Sequence, residues 1–213
     1  AYIRFGRWQD LLALALPEDR EIYAMTTAMV YYGRAVAHAV LGQIDAATTE
    51  QALFEAAIPN VPKQRYMHTV RCQDILAVGR EMLAGELLYR TGDFDRAFAH
   101  LRQAVVLEDA LPYDEPWGWM QPGRHALGAL LLEQGHIEEA ATAYRADLGL
   151  DQTVIRSNQH PNNVWALQGL HMCYQKMGET RLGAMIKPAL DIAQGRADQT
   201  VQSSCFCAGQ TAE

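Results

Sequence analysis

The sequence lacks the features of a membrane protein and of a small secreted protein. It has no run of eighteen consecutive apolar residues, so a membrane-spanning helix is not expected. No basic segment followed by an apolar one stands at the N-terminus, which predicts no signal peptide. Four cysteines in 213 residues do not make a dense disulfide framework. We therefore expect a cytoplasmic protein that does not associate with membranes.

Motifs of catalysis and metal binding are also missing. The sequence contains no G-x-S-x-G nucleophile motif, no glycine-rich phosphate loop and no HExxH zinc motif. The seven histidines are scattered along the chain. We therefore predict no catalytic residue, no cofactor and no metal ligand in this chain, and the sequence favours a protein that is not an enzyme.

The composition is that of a folded chain with an acidic balance. Apolar residues make up 49% and charged residues 20% of the sequence, as in folded globular domains. The net charge of −7 disfavours binding to nucleic acid or to an anionic membrane. No segment alternates between apolar and polar residues for long enough to predict a sheet, and helical spacing dominates. The sequence predicts an all-α fold.

Two short amphipathic helices are predicted to meet at Gly135. Apolar residues recur at helical spacing on both sides of this glycine: Leu127, Leu130 and Leu131 before it, and Ile137, Ala140 and Tyr144 after it. Glycine is the residue that ends a helix with a positive φ at no steric cost. The stretch from residue 126 to 148 is therefore a predicted helix hairpin.

The same turn pattern recurs along the chain. A glycine followed by an apolar residue at +2 and a small residue at +5 occurs at Gly42, Gly92 and Gly135, with degenerate copies at Gly6 and Gly178. The pattern predicts one repeat domain over 1–195. It consists of a leading helix within 1–16 and hairpins at about 22–56, 69–106, 122–148 and 163–194, and residues 196–213 form a polar tail.

The residues of this unit resemble the tetratricopeptide (TPR) repeat. Leu127-Gly128, Leu131, Ala140 and Tyr144 stand in the order of the family's Leu-Gly, Tyr, Ala and Phe positions. The resemblance implies a right-handed solenoid of helix hairpins that binds proteins. Successive glycines are 36, 50, 43 and 43 residues apart, against roughly 34 in a regular TPR, so the connections between hairpins are unusually long.

Three segments resemble a longer group of bacterial and fungal TPR-domain proteins. They are LPYDEPWGWMQPGRHALGALLLEQG at 111–135, HPNNVWAL at 160–167 and SSCFC at 203–207. In that group they belong to the C-terminal half, and the upstream half carries His-rich segments that are absent here. The resemblance implies an alternative to a scaffold: this chain is the C-terminal half of a larger enzyme or metal-binding protein and contributes an aromatic and acidic pocket edge.

The long connection before residue 123 is the first candidate binding site. In a TPR array, successive connections lie along one edge, which would bring this connection near the one that ends at residue 165. The predicted ligand contacts are Tyr113, Asp114, Glu115, Trp117, Trp119, Arg124, His125, His160, Asn163 and Trp165. The alternative is that the tryptophans fill gaps between hairpins while the two acids cap the next helix.

A concave groove lined by the first helix of each hairpin is the second candidate. The predicted lining includes Glu86 and Tyr89, and the mixture of aromatic and charged residues suits an extended or helical peptide. The alternative is an ordinary solvated face, or one that the protein's own segments cover. The expected partner is therefore a protein or peptide, bound in this groove or on the connection edge.

Two further predictions concern the ends of the sequence. The helix within 1–16 has almost no preceding helix to pack on, so we expect that the chain begins inside a larger repeat array, that a partner covers this edge, or that the chain self-associates through it. Near the other end, Cys205 and Cys207 could supply half of a metal or redox site, or the tail could dock through Phe206. Cys72 and Cys173 lie in helical stretches, where small core residues are expected.

Overall fold

A computed structural model describes residues 1–205 and is almost entirely helical. Its α-helices are α1 (Trp8–Ala13), α2 (Ala24–Val40), α3 (Ile44–Ala57), α4 (Cys72–Arg90), α5 (Phe94–Asp109), α6 (Gly123–Glu133), α7 (Ile137–Leu148), α8 (Val164–Met177) and α9 (Thr180–Gly195). Short 3₁₀ turns cover Ile58–Asn60 and Arg156–Asn158. The predicted all-α class is confirmed for these residues.

One small β-hairpin interrupts the helical pattern. Strand β1 (Tyr66–Met67) pairs antiparallel with β2 (Val70–Arg71), with Tyr66 opposite Arg71 and Met67 opposite Val70. His68, in the turn between them, has a φ of 50°. This hairpin was not predicted, because strands of two residues are too short to show an alternating pattern.

Eight of the helices pack in consecutive pairs, α2 with α3, α4 with α5, α6 with α7 and α8 with α9. Three backbone hydrogen bonds close each turn in the same way, and the turn at Gly135 is an example. The Gly135 amide donates to the Leu132 carbonyl, the next amide donates to Leu131, and the amide of Ala140 donates to His136. The same bonds, at the same offsets from the glycine, recur at Gly6, Gly42, Gly92 and Gly178.

These turns need glycine because their backbone is left-handed. The φ angles are 62° at Gly6, 74° at Gly42, 84° at Gly92, 84° at Gly135 and 72° at Gly178. A side chain at such a φ meets the neighbouring carbonyl, and glycine avoids this cost. The turn pattern in the sequence therefore reflects a local backbone requirement that repeats along the chain.

The contacts divide the chain into two compact units, the first of residues 1–121 and the second beginning at Pro122. In the first unit, α1 packs on α2, where a Cβ at Gly33 would lie 2.9 Å from the Leu11 side chain. Helix α2 also packs on α4. Gly33 thus marks a place where a neighbouring side chain comes close to the helix backbone.

The second unit is built around the fully buried ring of Tyr144 on α7. A Cβ placed at Gly128 on α6 would lie 2.5 Å from the ring's Cζ atom, and one at Gly169 on α8 would lie 2.2 Å from it. Cζ is therefore the ring atom closest to both glycines. Three helices therefore meet at one aromatic side chain because two of them carry glycine there.

Within residues 1–205, no helix combines the length and the apolar character that a membrane span requires.

Candidate functional site

The connection that follows α5 is held in the first unit by one of its two tryptophans. Trp119 is buried, and its ring lies 5.5 Å from that of Tyr32 on α2 in an edge-to-face arrangement. A Cβ at Gly79 on α4 would lie 3.4 Å from the Trp119 ring, so the indole packs on bare helix backbone. Such aromatic contacts contribute both buried area and a favourable ring geometry. Trp119 therefore anchors the connection.

The same connection is fixed a second time by the β-hairpin. The Thr69 hydroxyl donates to the Tyr113 carbonyl at 2.7 Å, and the Thr69 amide donates to Asp114 Oδ2 at 3.4 Å. His68 Nδ1 lies 3.5 Å from Asp114 Oδ1. A Cβ at Gly118 would lie 3.0 Å from Val70. Asp114 is thus a buried structural carboxylate that ties the hairpin to the connection.

Large apolar side chains on the β-hairpin and the connection remain exposed. We call this group the exposed aromatic patch; its members are Tyr66, Met67, Tyr113, Trp117 and Met120, with exposed fractions from 43% to 65%. All five lie on the β-hairpin or on the connection docked against it. Tyr, Trp and Met are the residues enriched at the centres of protein interfaces. A rigid support with exposed anchors of this kind is what a binding surface requires.

An acidic group stands within the patch. The Tyr113 hydroxyl donates a short hydrogen bond to the exposed Glu115 carboxylate. That bond, followed by slight burial and the charges of Glu115 and Asp114, raises the pKa of Tyr113 above its ordinary value. Glu115 keeps a second oxygen that can accept a bond from a ligand. The patch therefore presents apolar surface together with one negative charge.

A separate polar cluster is buried in the second unit. His125 Nε2 lies 2.9 Å from Asp147 Oδ2, and His160 Nδ1 lies 2.8 Å from Asp147 Oδ1. Burial raises the pKa of the Asp147 carboxyl, but the charges and hydrogen bonds of the two histidines outweigh it and hold that pKa well below its usual range. The Asp147 carbonyl also accepts the His160 amide at 2.6 Å. The cluster fastens the connection before α8 to α7.

Asp147 was absent from the sequence prediction, although the repeat register contains a signal for it. The position twelve residues after each turn glycine is buried in every hairpin: Phe54, Ala104, Asp147 and Leu190. An acid at a position that is otherwise apolar must find a charged or hydrogen-bonding partner. Two histidines in the neighbouring segments, His125 and His160, provide it.

The last described residues pack on the same unit. Ser204 Oγ lies 2.6 Å from the Tyr144 hydroxyl and donates to the His125 carbonyl at 2.7 Å. Ser204 and Cys205 are buried, and Cys205 is disulfide-bonded. Phe206 and Cys207, the other residues of the predicted tail site, lie outside the described residues.

The remaining predicted site residues have mainly structural contacts. Asn163 caps α8, because its side-chain oxygen accepts the amides of Trp165 and the residue after it. Arg124 and Trp165 are half-buried near the starts of α6 and α8. Of the predicted ligand contacts, the second unit thus brings His125 and His160 together, but in its interior.

The two predicted groove residues are buried in the first unit. Glu86 Oε1 accepts a hydrogen bond from Arg90 Nε at 2.8 Å. The Tyr89 ring packs edge-on against Phe94 and Phe98, at 5.1 and 6.1 Å between ring centroids. Both side chains are more than nine-tenths buried, so they offer little surface to a ligand.

Among residues 1–205, no group of three or more His, Cys, Asp or Glu side chains is arranged to hold a metal ion. Cys72 and Cys173 are buried free thiols, and burial raises the pKa of Cys173 to about 12. Both thiols therefore remain protonated core groups.

No known protein family, curated protein or solved structure matches this sequence significantly.

Proposed function

We propose that this chain is a TPR-like, right-handed solenoid of helix hairpins that works as a protein- or peptide-binding scaffold. The five turns with identical hydrogen bonds support a repeat architecture, because each unit presents the same local geometry to its neighbour. The resemblance of the Gly135 hairpin to the TPR repeat supports the same assignment.

The observation that carries the binding role is the contrast between the two tryptophans of one connection. Trp119 is inside and anchors the backbone, whereas Trp117, two residues away, is 43% exposed. Folding alone would be served by burying both rings. Because the backbone on either side of Trp117 is already fixed, a ligand that covers the ring orders little of the protein on binding, which lowers the entropic cost.

The chemistry of the exposed aromatic patch defines the ligand class. Five large apolar side chains favour a peptide segment with apolar or aromatic anchors. Glu115 and the net charge of −7 favour a basic residue beside those anchors. The proposed ligand is therefore a segment of another protein that carries an apolar side chain next to lysine or arginine.

A peptide-display selection against the 213-residue chain tests the proposal. We expect the enriched peptides to combine apolar residues with lysine or arginine. They should bind Trp117→Ala at least about ten-fold more weakly, as for a central interface residue. Tyr23→Ala is the matched control, since Tyr23 is 54% exposed in the same unit but outside the patch.

Thermal unfolding of the same variants separates binding from folding. Trp117→Ala should change the free energy of unfolding by less than about 1 kcal/mol, because the ring is partly exposed. Trp119→Ala should cost about 3–5 kcal/mol, as for a buried tryptophan. If Trp117→Ala lowered the melting temperature as much as Trp119→Ala and left peptide binding unchanged, both rings would be structural and the proposal would be wrong.

A further inference from the structure

The cysteine sulfur atoms of residues 1–205 are shielded from oxidants. Cys72 and Cys173 are free thiols, and both are buried. Burial raises the pKa of Cys72 above its ordinary value and raises the pKa of Cys173 to about 12. Both thiols therefore stay protonated at neutral pH, whereas the thiolate is the form that reacts with peroxides. Cys205 is disulfide-bonded and holds no free thiol.

The accessible sulfur atoms in this part of the chain belong to three methionines. Met67, Met120 and Met185 are 44%, 65% and 67% exposed, whereas Met25 and Met82 are buried. The other three methionines are half-buried. A thioether has no proton to lose before it reacts with a peroxide, so exposure decides how readily it is oxidised. Two of the three exposed methionines belong to the exposed aromatic patch.

Both patch methionines lie beside the segment that carries the exposed tryptophan. Met67 is opposite Val70 in the β-hairpin, and the side chains of directly opposed residues lie on the same face of a hairpin. Val70 is buried, and a Cβ at Gly118 would lie 3.0 Å from it, so Met67 is on the face that packs on the connection. Met120 lies two residues after Gly118, and Trp117 directly precedes that glycine.

Oxidation by hydrogen peroxide adds one oxygen atom to a methionine sulfur. The lone pair of the thioether sulfur attacks one oxygen of the peroxide, and the S–O bond forms as the O–O bond breaks. The second oxygen leaves as water after it takes the proton from the first. The sulfur is oxidised by two electrons and the peroxide is reduced by two. The product is a polar sulfoxide in place of a flexible apolar group.

We propose that Met67 and Met120 are sites of reversible oxidation by hydrogen peroxide, and that their sulfoxides weaken ligand binding at the exposed aromatic patch. The effect on binding rests on the proposed function of the patch, whereas the oxidation itself does not. An apolar ligand side chain that covers a sulfoxide removes its oxygen from water and donates no hydrogen bond to it. The two sulfoxides therefore lower the affinity at least about ten-fold.

The first experiment locates the sulfoxides and needs no ligand. The chain is treated with hydrogen peroxide and digested, and mass spectrometry follows the oxidation of each methionine with time. Met67, Met120 and Met185 should react at least about ten-fold faster than Met25 and Met82, because their side chains are exposed. The melting temperature should stay within about 2 °C of that of the untreated chain. If Met67 or Met120 reacted no faster than Met25, or if oxidation unfolded the chain, the proposal would be overturned.

The second experiment assigns the effect on binding to the patch. A display-selected peptide without methionine or cysteine is titrated against each protein before peroxide treatment and again after the peroxide has been removed, so each protein is its own reference. The affinity of the unaltered chain and of Met185→Leu should fall at least about ten-fold. The double variant Met67→Leu/Met120→Leu holds side chains of similar volume without sulfur, so peroxide should change its affinity by less than about two-fold. An equal fall in the double variant would refute the proposal.

The third experiment tests reversal. Methionine sulfoxide reductases for both sulfoxide epimers, with a dithiol as reductant, convert each sulfoxide back to the thioether; the oxygen leaves as water and the dithiol becomes a disulfide. Peptide affinity should return to that of untreated chain taken through the same dithiol step, which controls for reduction of the Cys205 disulfide. A loss of affinity that persisted after mass spectrometry showed both thioethers restored would contradict the proposal.

The binding function and its regulation can fail separately. Sulfoxides at Met67 and Met120 that left the affinity of a bound peptide unchanged would overturn the regulation and leave the binding function intact. A selection that enriched no peptide would remove the binding function, and the regulation with it, whatever the mass spectra showed.

Discussion

The position of the Tyr144 ring makes a strong prediction about one glycine. An alanine Cβ at Gly128 would lie 2.5 Å from the ring, well inside van der Waals contact. The ring is equally close to α8, because a Cβ at Gly169 would lie 2.2 Å from the same Cζ atom, so the ring has little room to move in that direction. Gly128→Ala must therefore push α6 away from α7 or force the ring out of its rotamer.

The two opposing contributions can be estimated. Overpacking a well-filled core costs about 1–3 kcal/mol, whereas alanine is favoured over glycine inside a helix by roughly 0.5–1 kcal/mol. We expect Gly128→Ala to lower the free energy of unfolding by about 1–2 kcal/mol. Gly183→Ala is the matched control in the same unit. Its Cβ would meet nothing closer than 3.8 Å, so it should raise stability by about 0.5–1 kcal/mol.

Urea denaturation followed by circular dichroism measures both variants. The mechanism is tested in a Tyr144→Leu background, where the ring is gone and Gly128→Ala should become neutral or stabilising. This double-mutant cycle isolates the contact between the two positions. If Gly128→Ala proved as stable as Gly183→Ala, or kept its full penalty in the leucine background, the close approach of ring and backbone would not be what packs the second unit.

Three further predictions use the buried polar groups. Asp147→Asn should lower the free energy of unfolding by about 3 kcal/mol near neutral pH, because it breaks a buried charge cluster. Because the pKa of Asp147 is depressed in the folded chain, the difference in unfolding free energy between the variant and the unaltered chain should shrink as the pH falls below about 4. A difference that stays constant with pH would contradict this reasoning. Glu86→Gln breaks a buried ion pair and should lower the free energy of unfolding by about 3 kcal/mol. Glu55→Gln breaks an exposed pair and should lower it by less than about 1 kcal/mol. Urea denaturation measures both variants. Ser204→Ala should cost about 1–3 kcal/mol and add little to Tyr144→Phe; full additivity would show that the two hydroxyls do not interact.

The sequence predicts the positions of the hairpin turns because each depends on a local backbone requirement. A left-handed φ selects glycine whatever the surroundings, so the turns at Gly42, Gly92 and Gly135 can be recognised from a few neighbouring residues. The helical class follows in the same way from apolar spacing. The start of α4 was less accurately predicted: the sequence suggested a helix from Thr69, whereas α4 begins at Cys72, because the preceding residues pair with β1.

The site was harder to predict because it depends on contacts between distant residues. Trp117 and Trp119 are chemically identical and separated by one glycine, yet Trp119 is buried against Tyr32 whereas Trp117 is 43% exposed. The approach of Thr69 to Asp114 spans 45 residues, and no local pattern announces it. Composition indicated that this connection was unusual, but only the packed structure distinguishes the anchoring ring from the exposed one.

Departures from the repeat register show how individual hairpins complete their own packing. Asp147 breaks the register at a position that is apolar in the other hairpins, and the chain compensates with two histidines. Lys187 stands at the position of Tyr144 and His171 at that of Gly128, so the last hairpin has neither the ring nor the glycine that admits it. A departure for which neighbouring residues of the chain supply partners, as at Asp147, contributes to the stability of the fold. The last hairpin therefore packs α8 on α9 with a different pair of side chains in place of the contact between ring and glycine.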